Sequence, residues 1–115
     1  MIFVIAEIGT NHMGNLKIVK QIIDVAKDAG CDAVKFQKKN INKIYTKNFL
    51  DSAIDSPWGT TQREMRFHRE FSIKQFEEIN IYCKKKKIVW FTSCWDTQSQ
   101  ISMRKFKTKY NKVAS

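Results

Sequence analysis

The hydrophobic pattern of the chain alternates between two periods. Ile2-Phe3-Val4-Ile5-Ala6-Glu7-Ile8 is an apolar, β-branched run closed by Gly9, which predicts a buried strand. A turn over Thr10-Asn11-His12-Met13-Gly14 follows, with Asn15 placed to cap a helix. From Leu16 the apolar positions Leu16, Val19, Ile22, Ile23 and Ala26 step by three and four, the spacing of an amphipathic helix, and Gly30 stops it. Ala33-Val34-Lys35-Phe36-Gln37 reads as a second strand. A long polar stretch then runs to Phe71 and holds the turn Ser56-Pro57-Trp58-Gly59, with a helix expected over Glu64–Arg69. Ser72 with Gln75 forms a capping box ahead of the stripe Phe76, Ile79, Tyr82 and Cys83. Ile88–Cys94 is a third strand. Asp96 or Thr97 caps a helix carrying Ile101, Met103 and Phe106, and Asn111–Ser115 begins a fourth strand. The order β-α-β-α-β-α-β predicts parallel strands joined by right-handed crossovers.

The last strand has no helix after it. Four parallel strands close poorly on themselves, whereas an eight-stranded barrel needs about 250 residues. The fold expected is therefore the N-terminal half of a (β/α)8 TIM barrel, residues 1–115 being a partial domain and an N-terminal fragment.

Charge changes the picture, because it is unevenly placed. The chain carries 21 Lys+Arg and 11 Asp+Glu, a formal charge of +10. Residues 1–37 hold four lysines and four acids, so the whole excess falls on residues 38–115. Such a field favours anionic partners. Lys84–Lys87 also suits the C-terminal end of a helix dipole. No apolar run approaches the roughly 20 residues of a membrane helix. Nothing at the start of the chain resembles an export signal. Three cysteines (Cys31, Cys83, Cys94) at wide spacing argue against a disulfide framework and fit a reducing cytoplasm.

In parallel α/β folds the active face lies at the carboxyl ends of the strands. The polar residues there are Glu7, Lys35, Gln37, Thr92, Ser93, Lys112 and Ser115. Two lysines with hydroxyls suit a small phosphate or carboxylate, and a carboxylate beside them can orient or deprotonate a hydroxyl. On neighbouring strands, Glu7 and Lys35 are equally a simple ion pair.

Ala6-Glu7-Ile8-Gly9, Asn11-His12-Met13-Gly14 and Ala29-Gly30-Cys31-Asp32-Ala33-Val34-Lys35-Phe36-Gln37 closely resemble the sialic acid synthase family. Pro57-Trp58-Gly59, Arg69-Glu70-Phe71-Ser72, Thr92-Ser93-Cys94-Trp95-Asp96 and Lys112-Val113-Ala114-Ser115 follow in the order that family shows. The resemblance implies an enzyme condensing phosphoenolpyruvate with N-acetylmannosamine, or its 6-phosphate, to N-acetylneuraminate or a related nonulosonate. It implies a barrel followed by an antifreeze-like domain, and a homodimer at full length. By analogy Lys35, Ser93, Lys112 and Ser115 hold phosphoenolpyruvate, while Glu7 and Gln37 face the sugar and Glu7 stands near the reacting carbons. A divalent metal, Mn²⁺ or Mg²⁺, is expected, with ligands beyond this chain, and the 115 residues alone are expected to be inactive.

His12 and His68, 56 positions apart, show no ligand spacing. His12 is expected to order its turn and His68 to lie on a helix surface. Relatives usually carry a glycine before the third strand. Its absence here requires Lys86 or Lys87 at positive φ, or a different turn. Cys94 reads as a packing thiol and Trp90 as core, with Trp58 open. The alternative reading is a basic, non-catalytic module binding nucleic acid or another polyanion. No recognition motif supports it.

Overall fold

The chain's first apolar run becomes strand β1 (Ile5–Gly9) in a computed structural model that describes residues 1–114. The strand starts three residues later than its composition suggests. Its partner β2 (Ala33–Lys38) begins opposite Ile5, so residues 1–4 have no ladder to join. The Val4 N–H donates to the Asp32 carboxylate, its carbonyl accepts the Asp32 and Ala33 amides, and Phe3 packs edge-on to Tyr110. Helix α1 (Leu16–Asp28) connects the two strands, and the Asn15 side chain accepts from the Lys17 and Ile18 amides at its start.

The stretch after β2 holds more structure than its polar composition suggests. Two one-turn helices, α2 (Ile41–Ile44) and α3 (Lys47–Leu50), precede a hairpin of β3 (Ala53–Ser56) and β4 (Gly59–Thr61). Helix α4 (Gln62–His68) follows, opened by a capping box between Thr61 and Glu64. The hairpin was not expected, because Ile54 is the one large apolar residue in its strands and alternation is too short to register.

Helix α5 (Ile73–Lys86) begins at the Ser72–Gln75 capping box and ends with Lys87 at φ 56°, ψ 47°. The missing glycine is thus replaced by a left-handed lysine, whose carbonyl accepts from Lys27 Nζ at 3.1 Å. Strand β5 (Val89–Cys94) leads into α6 (Thr97–Met103), capped by Asp96, and then β6 (Lys112–Val113). Ile101 on α6 is exposed; Met103 is the residue that turns inward. Ser115, expected on the last strand, lies outside the described residues.

The main sheet has the order β1-β2-β5-β6, all parallel. One face packs on the helices: Ile8, Val34, Phe36 and Trp90 meet Val19, Ile23, Phe76, Ile79 and Cys83. Phe76 stacks on Trp90 at 5.8 Å, and Asn80 accepts from the Trp90 indole. The other face is the concave side.

Candidate functional site

Side chains alternate across a strand, so the residues absent from the helix-side core define the concave face. The register stacks them in three layers. Ile5, Ala33 and Val89 lie lowest; Glu7, Lys35 and Phe91 come next; Gln37, Ser93 and Lys112 lie nearest the carboxyl ends. The face therefore changes from apolar to polar and cationic along the strand direction. Layering of this kind is how a TIM barrel fills its interior, with chemistry at the C-terminal mouth.

Five of the expected site residues are brought together in this way: Glu7, Lys35, Gln37, Ser93 and Lys112. Lys35 is 3% exposed, yet its ionic partner among the described residues is Glu7, 3.7 Å away and 64% exposed. The ion pair is real, but only one member is buried. A buried ammonium has three donors to satisfy, and one carboxylate beyond ordinary hydrogen-bond length leaves capacity for an anion. Ser93 is buried and Lys112 exposed beside it. The Gln37 amide lies against Gly9, with Nε2 3.7 Å from where a Cβ would stand.

Thr92 does not join them. It has the opposite parity, faces the helices and touches Cys94 Sγ at 3.4 Å. Burial raises the pKa of the Cys94 thiol, which suits packing rather than nucleophilic chemistry.

His12 is buried, stacks on Phe71 at 4.1 Å and accepts the Gly14 amide on Nδ1 at 2.9 Å. Burial lowers its pKa to about 4 against the opposing hydrogen bond at Gly9, so the neutral ring orders the turn. Gly14 is required here: φ is 72°, and a Cβ would overlap the His68 carbonyl. His68 itself lies exposed at the end of α4 and stacks on Trp58 at 4.7 Å. Among the described residues no three His, Cys, Asp or Glu side chains converge to hold a metal.

Sequence reasoning missed a charged network at the same end of the sheet. Glu70 pairs with Lys38 at 3.8 Å and accepts the Lys39 amide at 3.2 Å, while Lys38 donates to the Phe71 carbonyl. Burial raises the Glu70 pKa despite those partners, and Asp96 adds to the rise. Asp96 accepts from the Asn40 amide and the Ser99 hydroxyl. These residues tie the loops after β2 and β5 to α5. The segment was visible in the sequence, but its pairing crosses more than 30 positions and has no local signature.

The NeuB family model matches residues 22–115. The chain belongs to that family. It is 34% identical to an N-acetylneuraminate-9-phosphate synthase of Drosophila melanogaster over 99% of its own length and 31% of the relative's. It is 32% identical to an N,N'-diacetyllegionaminic acid synthase of Campylobacter jejuni over 97% of its length and 34% of that protein. The solved sialic acid synthetase of Leptospira borgpetersenii, in complex with citrate, superposes with a TM-score of 0.79 at 26% identity, covering 97% of this chain and 35% of that one. The chain thus spans about a third of the length of these relatives, and its sheet is the N-terminal part of a TIM barrel. Among the described residues no helix is long and apolar enough to cross a membrane.

Proposed function

We propose that this NeuB family chain supplies the phosphoenolpyruvate-binding part of a nonulosonate synthase, acting on N-acetylmannosamine or its 6-phosphate. The single observation that carries the reading is the layered polar mouth, in which Lys35, Gln37, Ser93 and Lys112 share one face with Glu7. The reaction joins phosphoenolpyruvate, the open-chain sugar and water to give the nonulosonate and inorganic phosphate. The enol carbon forms the new bond to the sugar aldehyde, water adds to the oxocarbenium carbon left behind, and phosphate departs by C–O cleavage.

Each residue has a role set by its chemistry. Lys35 and Lys112 meet the phosphate and carboxylate charges of phosphoenolpyruvate, with Ser93 donating a hydroxyl hydrogen bond and Ser115 assigned with them from the family pattern. Glu7 stands one strand from Lys35 and is open to the concave side. It receives a hydrogen bond from the sugar and can take the proton of the adding water. Gln37, beside Gly9, orients the sugar through its amide. The described residues do not make a cluster of His, Cys, Asp or Glu that would hold a metal. An expected Mn²⁺ or Mg²⁺ belongs to residues outside this segment, and no step here is routed through it.

Within this proposal the protein works as a cytoplasmic homodimer completed by the rest of the barrel and a small C-terminal domain, without nucleic acid as a partner. The 115 residues alone are inactive, since the concave face needs the remaining strands to exclude water. The test is phosphate release from phosphoenolpyruvate with N-acetylmannosamine or its 6-phosphate and Mn²⁺, by this chain and by a synthase carrying it. Release by the longer protein alone is the expected result. Release from neither, or release that does not depend on the sugar, would overturn the reading.

A further inference from the structure

A second group of cations stands at the mouth of the sheet and is not used above. Lys39 follows β2, Arg66 lies on α4, and Arg69 comes directly after it. With Thr10, Ile41 and Glu70 they line a cleft of about 40 Å³. By that measure one water takes about 10–15 Å³, so the space admits the few oxygens of a phosphate but not a sugar ring.

None of the three cations makes an ion pair within 4.0 Å among the described residues. Aromatic rings and neutral groups hold them instead. Arg66 donates to Gln62 and to the Tyr45 hydroxyl, with its guanidinium 4.5 Å from the Tyr45 ring centre. Arg69 lies 5.3 Å from the Trp58 ring centre, and its Nε–H is buried without an acceptor. Lys39 Nζ sits 4.2 Å from the ring centre of Trp95. The carboxylate that borders the cleft, Glu70, is already met by Lys38 and the Lys39 amide. Burial lowers the Lys39 pKa, with Glu70 opposing and the two arginines adding to the fall, as expected where three cations share a space with one carboxylate. An orphaned buried donor is costly and rare, which makes the Arg69 Nε–H the sharpest sign of a missing acceptor.

The position of the cleft selects the ligand. Thr10 adjoins Gly9, where a Cβ would stand 3.7 Å from Gln37 Nε2, and the strand order places β1 on the side of β2 opposite Ser93 and Lys112. The cleft is therefore reached from the sugar side of the mouth. Resting on the synthase reading above, we propose that Lys39, Arg66 and Arg69 form a second anion subsite, which takes the phosphate monoester of a phosphorylated hexosamine whose aldehyde end lies at Glu7 and Gln37.

The test titrates N-acetylmannosamine 6-phosphate, N-acetylmannosamine and inorganic phosphate into a synthase carrying this segment, read by calorimetry. The sugar phosphate should bind saturably, and Arg69→Gln should weaken it by about tenfold or more. The remote control Lys85→Gln should leave that affinity within about twofold. Equal weakening by Arg69→Gln and Lys85→Gln would overturn the proposal, as would sugar phosphate binding no tighter than the plain sugar. Should Arg69→Gln lose its circular dichroism, Lys39→Gln carries the same comparison. Phosphoenolpyruvate binding that ignores Lys35→Ala, with the Arg69 effect intact, would sink the synthase reading and leave the subsite standing.

Discussion

Under the proposed function, Lys35 serves chemistry at the expense of stability. Its ammonium is buried with one exposed carboxylate at 3.7 Å, an arrangement that satisfies little of its desolvation cost. Replacing it with a flexible apolar side chain removes that cost. We expect Lys35→Met to hold or raise the unfolding free energy measured in urea, by up to about 1–2 kcal/mol, while phosphoenolpyruvate-dependent turnover in the completed synthase falls at least about a hundredfold. Equal losses of stability and turnover would make Lys35 a packing residue. Glu7→Gln should likewise lose most turnover with unchanged circular dichroism. His12 acts on stability alone. Its folded pKa of about 4 lies below the unfolded value of 6.5, so the unfolded chain binds the extra proton between them. Stability contributed by the neutral ring is complete above pH 6.5 and is lost as pH falls toward 4, on the order of 3 kcal/mol in total. Unfolding midpoints at pH 7.5 and 5, with His12→Gln as reference, check the sign. The roles of these residues differ in how visible they are in the sequence. Strand parity alone groups Glu7, Lys35, Gln37 and Ser93, whereas the same position count at a strand end misled for Thr92, which sits one residue out of phase.

At the level of elements, the caps were readable and the long connection was not. Asn15, Ser72 with Gln75, and Asp96 act through side chains on amides two or three residues away, so their spacing is written in the sequence. The hairpin of β3 and β4 depends on pairing across a turn with little apolar content, and the Lys38–Glu70 tie joins residues 32 positions apart. Two turns make quantitative statements. Lys87 holds a left-handed backbone at φ 56°, which costs a side-chain-bearing residue about 1 kcal/mol. Lys87→Gly removes that strain against a larger unfolded-state entropy, for a net gain of roughly 0.5 kcal/mol in urea unfolding. Gly14→Ala meets both a positive φ and the His68 carbonyl, and should lose about 2–3 kcal/mol. A neutral Gly14→Ala would mean that the β1–α1 turn does not rest on α4.

The whole molecule joins an apolar helix-side core to an open polar face. On the concave side Ala33 and Phe91 are already buried, while Ile5 and Val89 stay open in the lower layer, and a completed barrel would bury them. The net charge of +10 gives the molecule a field that favours anions and weakens with salt. Alternation of strand and helix made the barrel legible, and the ordered motifs made the family legible. The site was legible only as far as strand ends reveal it, because the cationic cleft is assembled from a loop, a helix and a helix end. Sugar-dependent phosphate release from phosphoenolpyruvate tests the central claim most directly. It compares a synthase carrying this segment with its Lys35→Ala variant at matched fold. Release by the first, and loss of most of it in the second, is the result this account predicts. Unchanged release in the Lys35→Ala protein would place the chemistry somewhere other than on this face.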